Sequence, residues 1–510
     1  MSIRILPFAV VIILAMSASP VFAQQTCESL TNLKLSGAAV TSAETVTAAP
    51  AHCEVKLTIR PSKDSEIKSA VWLPIAGWNG KYQQVGNGGW AGSISYRAMA
   101  DPLTKGYATA ATDDGHDGGV GATWAVGHPE KLIDFGYRAV HETSVQAKAV
   151  IRAFYGRDSS LNYFAGCSDG GREALMEAQR YPEDFNGILA GAPASDWSHL
   201  FTGFVWNEHA LLKSPGSSIP PAKLPLIQNG VLTACDSQDG LKDGLLSDPR
   251  TCRFDPAVLL CKDIDGPNCL TAAQVDAVRK IYGGAKNPRT GEQIFPGWPP
   301  GAEAAPGAWA TWITPANPAT SVQASFGNTY YGQAVFEDPK WDFRSLDFDR
   351  DVRFGDTKAG SILNATNPDL RSFRAKGGKL LQYHGWGDPA ISAMSSIEYY
   401  DSVQTFFSRF PDARIVSSRP IAEFYRLFLV PGMGHCGGGN GPSNFDAFSA
   451  LESWVEKGVA PSQLIGTGTV VGDSTKKMAR PICAYPEIAQ FKGTGDPNEA
   501  ANFVCAPPSR

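Results

Sequence analysis

The sequence predicts an α/β fold: a largely parallel sheet whose chain is interrupted by a long insertion. Three observations carry this. From Cys53 to about Ser195, short apolar runs alternate with segments of helical period. After Asp196 the alternation gives way to a stretch rich in Pro, Gly, Trp and Asn, with Pro296-Gly297-Trp298-Pro299-Pro300-Gly301 as its clearest breaker cluster. Around Leu370 the alternation returns, so the two flanks read as halves of one sheet.

Taken in order, Ser69 to Pro74 and Gly80 to Val85 read as strands, and Tyr107-Ala108-Thr109-Ala110 as a short buried one. Ala139 to Tyr155 has small and apolar residues on one helical face. Asn162 to Ala165 is a strand that runs into a glycine-rich turn, and Arg172 to Arg180 is a helix of strong helix formers. Beyond the insertion, Lys379 to Tyr383 and Arg426 to Val430 read as strands, each followed by a helix, Ile391 to Phe407 and Phe445 to Lys457.

Composition narrows the function. The 510 residues carry a net charge of -5 with both signs interspersed, which argues against nucleic acid as a partner. Arg4, the apolar run Ile5 to Met16 and the small residue closing Val21-Phe22-Ala23 form a secretory signal over residues 1–23. The run is shorter than the roughly 18 residues that span a bilayer. The expected product is a soluble, secreted or periplasmic chain starting near Gln24. In that oxidising setting the ten cysteines suggest up to five disulfides. Spacing does not fix their connectivity. Pairing neighbours would join Cys27 to Cys53, Cys235 to Cys252, Cys261 to Cys269 and Cys483 to Cys505, leaving Cys167 and Cys436.

Those two cysteines flank the residues best suited to catalysis. Gly166-Cys167-Ser168-Asp169-Gly170 is a G-x-S-x-G elbow between a predicted strand and a predicted helix, the setting in which α/β-hydrolases present a nucleophilic serine. A serine hydroxyl needs a base, and the base needs a group to orient it. Asp388 lies just past the strand Lys379 to Tyr383, and His435 past the strand Arg426 to Val430, which gives the order Ser, Asp, His. The backbone N–H of Asp169 is one expected oxyanion donor; Gly89, in the Gly86-Asn87-Gly88-Gly89-Trp90 loop, is favoured as the other, with Gly88 second. If Ser168 and His435 approach to about 3 Å, Cys167 and Cys436 fall within the Cα separation of about 4.4–6.8 Å that a disulfide tolerates.

The insertion holds a second constellation. Asp236, Asp239 and Asp243 are interleaved with Gly240 and Gly244, and Leu241 and Leu245 offer carbonyls. Calcium takes oxygen ligands of this kind. The spacing is not that of an EF-hand, and a solvated Asp-Gly turn explains it equally well.

Together these features resemble the tannase and feruloyl esterase family of secreted α/β-hydrolases, which includes mono(2-hydroxyethyl) terephthalate hydrolases. The resemblance rests on Cys167-Ser168, Asp388 and His435-Cys436. It extends to Thr112-Asp113-Asp114-Gly115-His116, Trp341-Asp342-Phe343, Val430 through Cys436, and the tail from Arg480 through Cys483 to Cys505. It implies an α/β-hydrolase domain in two halves, residues 24–195 and 369–510, with a lid over 196–368. It implies the five disulfides of the neighbour pairing, Cys167 with Cys436 included. It also implies a structural Ca2+ held by Asp236, Asp239, Leu241, Asp243 and Leu245. The lid of such enzymes shapes an aromatic acyl pocket, and here Trp298, Trp309, Trp312, Phe326, Tyr330, Tyr331 and Trp341 are available for pocket or lid core. Terephthalate members read the free carboxylate with a lid arginine, and none stands between Phe326 and Phe336. The expected activity is hydrolysis of small feruloyl or galloyl esters through an acyl-enzyme. A terephthalate monoesterase, a serine peptidase or amidase on the same fold, and a catalytically silent binding protein are the alternatives.

Overall fold

A computed structural model describes residues 25–119, 121–409 and 421–508; the expected signal segment, residues 1–23, lies outside them. The main sheet has nine strands: β1 (Ala38–Val46), β2 (His52–Ile59), β3 (Ile67–Pro74), β4 (Lys81–Val85), β5 (Ala108–Thr112), β6 (Leu161–Cys167), β7 (Gly187–Gly191), β8 (Lys379–Gly385) and β9 (Tyr425–Val430). Their spatial order is β1-β2-β3-β5-β4-β6-β7-β8-β9. From β5 to β9 every neighbouring pair is parallel, whereas β1, β2 and β3 are antiparallel and join β5 antiparallel. The sheet is therefore mixed rather than parallel throughout, and it starts before Cys53. The reason is visible in β2, where Val55, Leu57 and Ile59 are buried while Glu54, Lys56 and Thr58 face outward. That period of two suits an antiparallel strand with one wet face. By contrast β5, parallel to β4 and antiparallel to β3, is buried at every residue, as a strand covered on both faces must be.

Helix α1 (Ala139–Tyr155) covers one face and stops at Gly156, whose φ of 69° is the left-handed value that ends helices. Helix α2 (Asp169–Arg180) follows β6 directly and is buried from Asp169 through Ala178. Between β7 and β8 the insertion begins with helix α3 (Trp197–Leu212), absent from the sequence reading. It is apolar around most of its circumference and packs against both the first half and the rest of the insertion, so no polar stripe marks it. Its aromatic side chains merge with Trp90 and Phe135 of the first half and with Trp298, Trp309, Tyr330 and Tyr331 of the insertion in one continuous core. Helix α4 (Ala393–Arg409) links β8 towards β9. After β9 come helix α5 (Ala447–Lys457) and two small hairpins, Gln463–Val470 with Asp473–Cys483 and Ile488–Phe491 with Phe503–Ala506.

Five disulfides join Cys27 to Cys53, Cys167 to Cys436, Cys235 to Cys252, Cys261 to Cys269 and Cys483 to Cys505. Among the described residues no helix is long and apolar enough to cross a membrane.

Candidate active site

The site forms where open α/β sheets place ligands, beyond the carboxyl ends of parallel strands. Ser168 follows β6, Asp388 follows β8, His435 follows β9, and Gly88 and Gly89 follow β4. Ser168 sits at φ 66°, ψ -120°, a region that a non-glycine residue occupies only when its surroundings force it there. The glycines explain the force. A Cβ on Gly166 would overlap the backbone of Gly170, and one on Gly170 would lie 2.8 Å from the Asn87 carbonyl oxygen. Strand, helix and loop are packed too closely at these two positions for any side chain.

His435 Nε2 lies 2.9 Å from Ser168 Oγ, and His435 Nδ1 lies 2.8 Å from Asp388 Oδ2. The other oxygen of Asp388 accepts the N–H groups of Ala390 and Ile391 at 2.8 and 2.9 Å. Asp388 is fully buried, which pushes its carboxyl up. The imidazoles of His435 and His384 outweigh burial and hold it well below the usual range. It thus stays ionised beside His435. His384 sits 3.2 Å from Asp388 through Nε2, and its Nδ1 meets Ser396 Oγ at 2.7 Å. From sequence alone His384 has no assigned role; its contact with Asp388 is made by its i, i+4 position across the turn. His116 stacks on Trp124, and His141 pairs with Asp184, so neither bonds to the serine.

Cys167 and Cys436 have Cα atoms 6.0 Å apart and are joined, which ties the histidine loop to the elbow. Gly89, at φ 61°, and Asp169 border the same cavity as Ser168 and His435. That cavity has a volume of about 330 Å3. Its far wall is Trp197, Leu200, Phe201 and Phe204 of α3, with Trp312 and Phe326 from deeper in the insertion. Phe326 stacks on Phe201 with centroids 5.7 Å apart, and a Cβ on Gly89 would touch its ring at 3.4 Å. Trp312 meets the His435 ring edge-on at 5.3 Å. Of the aromatics named from sequence, these two line the cavity, while Trp298, Trp309, Tyr330 and Tyr331 are buried in the core of the insertion and Trp341 packs against it. The residues of α3 were missed, for want of any polar face to mark the helix.

In the acidic loop, Asp236 accepts the Gly244 N–H, Asp239 those of Leu241 and Ser247, and Asp243 that of Leu245. Arg480 lies 2.9 Å from Asp243. Burial first, then the charges of the neighbouring aspartates, pushes the Asp236 carboxyl up, and burial does the same to Asp239. An all-oxygen, net-negative donor set fits calcium. Among the described residues the three are not one of the groups whose ligating atoms converge within 4.8 Å.

Fold and site define an α/β-hydrolase with a serine, histidine and aspartate in hydrogen-bond sequence. Residues 53–506 match the profile of the tannase and feruloyl esterase family, and the chain belongs to that family of carboxylic ester hydrolases. It is 41% identical to an uncharacterized esterase of Xanthomonas campestris pv. campestris, over 90% of this chain and 85% of that one. It is 34% identical to the mono(2-hydroxyethyl) terephthalate hydrolase of Piscinibacter sakaiensis, over 90% and 86%. The crystal structure of feruloyl esterase B from Aspergillus oryzae superposes with a TM-score of 0.84 at 28% identity, covering 94% of this chain and 99% of that one.

Proposed function

We propose that the protein hydrolyses small esters of hydroxycinnamic or gallic type through an acyl-enzyme on Ser168. The observation that carries this is the aromatic, apolar wall facing the serine: Trp197, Phe201, Phe204, Trp312 and Phe326. A planar acyl ring stacks favourably on such a surface. Ser168 Oγ attacks the ester carbonyl while His435 Nε2 takes its proton, and Asp388 orients the ring and balances the imidazolium. The N–H groups of Asp169 and Gly89 stabilise the oxyanion. His435 then protonates the departing alkoxide, and a water activated by the same imidazole releases the acid.

No Arg or Lys lines the cavity among the described residues, so the free carboxylate of a terephthalate monoester meets no counter-charge there. This favours a neutral acyl ring. The test is a panel of methyl ferulate, methyl gallate and mono(2-hydroxyethyl) terephthalate. Higher kcat/KM on either of the first two is expected; a clear preference for the terephthalate monoester would overturn the choice.

Calcium, in this reading, is structural. Asp236, Asp239 and Asp243, with the carbonyls of Leu241 and Leu245, would hold it, and it would neutralise the loop. Metal analysis of protein purified without chelator should give about one Ca2+ per chain; none would sink the assignment. Five disulfides support a working place outside the cytoplasm, secreted or periplasmic.

A further inference from the structure

Directly behind the elbow lies a buried cluster of acids that the triad does not use. Asp114, Asp169 and Glu173 are 0%, 1% and 2% exposed, and each brings a carboxylate oxygen within 4.8 Å of the others. Among the described residues one cation pairs with them. Arg172, also 0% exposed, donates Nε to Asp169 Oδ1 at 2.6 Å and its remaining nitrogens to the carbonyls of Gly136 and Phe135. Three carboxylates against one guanidinium leave two charges uncompensated, and a desolvated carboxylate in that position takes up a proton.

The proton's place follows from the donors. Glu173 Oε2 accepts the Asn87 N–H at 3.0 Å, and its Oε1 lies 3.4 Å from Asn87 Nδ2. Asp169 has Arg172. Neither oxygen of Asp114 makes a well-formed hydrogen bond among the described residues, the Asn87 side-chain amide drawing its carboxyl down only in part, and Asp114 is held at φ 60° with a carboxylate oxygen within 4.8 Å of that of Glu173. Burial, then the charge of Glu173, pushes the Asp114 carboxyl well above its ordinary value.

Glu173 is also the anchor of the loop that carries Gly89. The Asn87 carbonyl accepts the Gly170 N–H at 3.0 Å, and a Cβ on Gly86 would lie 2.6 Å from Glu173 Oε2. Whatever fixes Glu173 fixes Asn87, two residues before Gly89.

We propose that Asp114 is a protonated carboxylic acid that donates to Glu173, and that this pair is a positioning device holding the oxyanion loop. Asp114 and Glu173 touch no substrate; they act through Asn87 on the Gly89 N–H. This rests on the reading of Gly89 as an oxyanion donor.

The test compares full-length wild type with D114N and D114A on methyl ferulate, with p-nitrophenyl acetate as a second ester. In D114N a side-chain amide N–H replaces the acid O–H, so this variant should keep kcat within about threefold. D114A should lose kcat on the order of 10²-fold at unchanged KM, the mark of a misplaced transition-state donor. Equal damage in both variants, or loss of thermal stability alone, would overturn the proposal. So would one bound metal ion fewer in D114N than in wild type, since the cluster would then hold a cation. Should D114A fail to fold, the infrared difference between wild type and D114N decides. A protonated-carboxyl C=O band in wild type at neutral pH supports the pair, and its absence overturns it. Activity on either ester that vanishes with S168A, beside unaffected Asp114 variants, would leave the esterase reading standing and remove only this one.

Discussion

The two walls of the active cavity are built on different principles. On the sheet side, Gly88, Gly89, Ser168, Asp169, His435 and Cys436 are fixed by backbone. Gly86, Gly166 and Gly170 behind this wall sit where a Cβ would collide, the serine lies in a forced conformation, and a disulfide clips the histidine loop. On the lid side, Trp197, Phe201, Phe204, Trp312 and Phe326 contribute ring surface and make no hydrogen bond to the triad. One wall requires particular atoms at particular points; the other requires bulk and apolarity. Chemistry and selectivity are thus encoded separately, and substitutions on the two walls should fail in different ways.

The largest contrast is expected at the nucleophile. Ser168→Ala should lower kcat by at least about 10⁴-fold on every ester, with circular dichroism unchanged. Residual turnover near wild type would mean that the wall built around Ser168 is not where the chemistry occurs. Next come the disulfides. Replacing Cys167 and Cys436 together by Ser opens a link across 269 residues, and a stability loss of about 2–4 kcal/mol is expected with a clear fall in kcat. Replacing Cys261 and Cys269 opens a loop of 8 residues in the lid and should leave kcat within about twofold. Equal effects on kcat would erase the distinction between a catalytic clip and a lid staple.

The same division explains what the sequence made legible. The elbow could be read because its constraint is local: Gly166, Ser168 and Gly170 meet within one turn. Asp388 and His435 followed from their order after strand ends, and Cys167 with Cys436 from adjacency to the pair. The lid wall was not legible. Trp312 in the cavity and Trp309 in the core stand three positions apart, and nothing about either side chain says which way it faces. Helix α3 is apolar on nearly all sides and leaves no period to detect. The contact of Glu173 with Asn87 exists only once the loop after β4 meets the helix after β6.

A smaller and more selective effect is expected on the lid wall. Phe326 lies half-buried over Gly89 and against Phe201. Phe326→Ala removes ring surface worth about 1.5–3 kcal/mol when covered by substrate. KM for methyl ferulate should rise by roughly 10-fold or more on that scale, while p-nitrophenyl acetate, with no acyl ring, should be nearly unaffected. Equal loss on both esters would place Phe326 with the chemistry instead.

The finest test separates the walls by pH. On the sheet side, the imidazoles of His435 and His384 overcome burial and keep Asp388 ionised, so alkali leaves that carboxylate as it is. On the lid side, His199 stands in the first turn of α3, 3.0 Å from Asp196 and 3.2 Å from Asp356. Burial alone would lower its value, but the two carboxylates raise it from 6.5 to about 10. A folded state that holds the proton more tightly than the unfolded chain is stabilised fully below about pH 6.5, and that stabilisation is lost as pH climbs through about 10. Alkali should therefore loosen the start of α3, where Trp197 and Phe201 project into the cavity, before it touches the triad. Wild-type Tm should fall by a few degrees over that window, at about 2 °C or less per kcal/mol for a chain of this size. His199→Gln should begin lower at neutral pH and lack the fall. Parallel Tm curves for the two proteins would remove His199 from the account and leave the lid no more sensitive to alkali than the sheet.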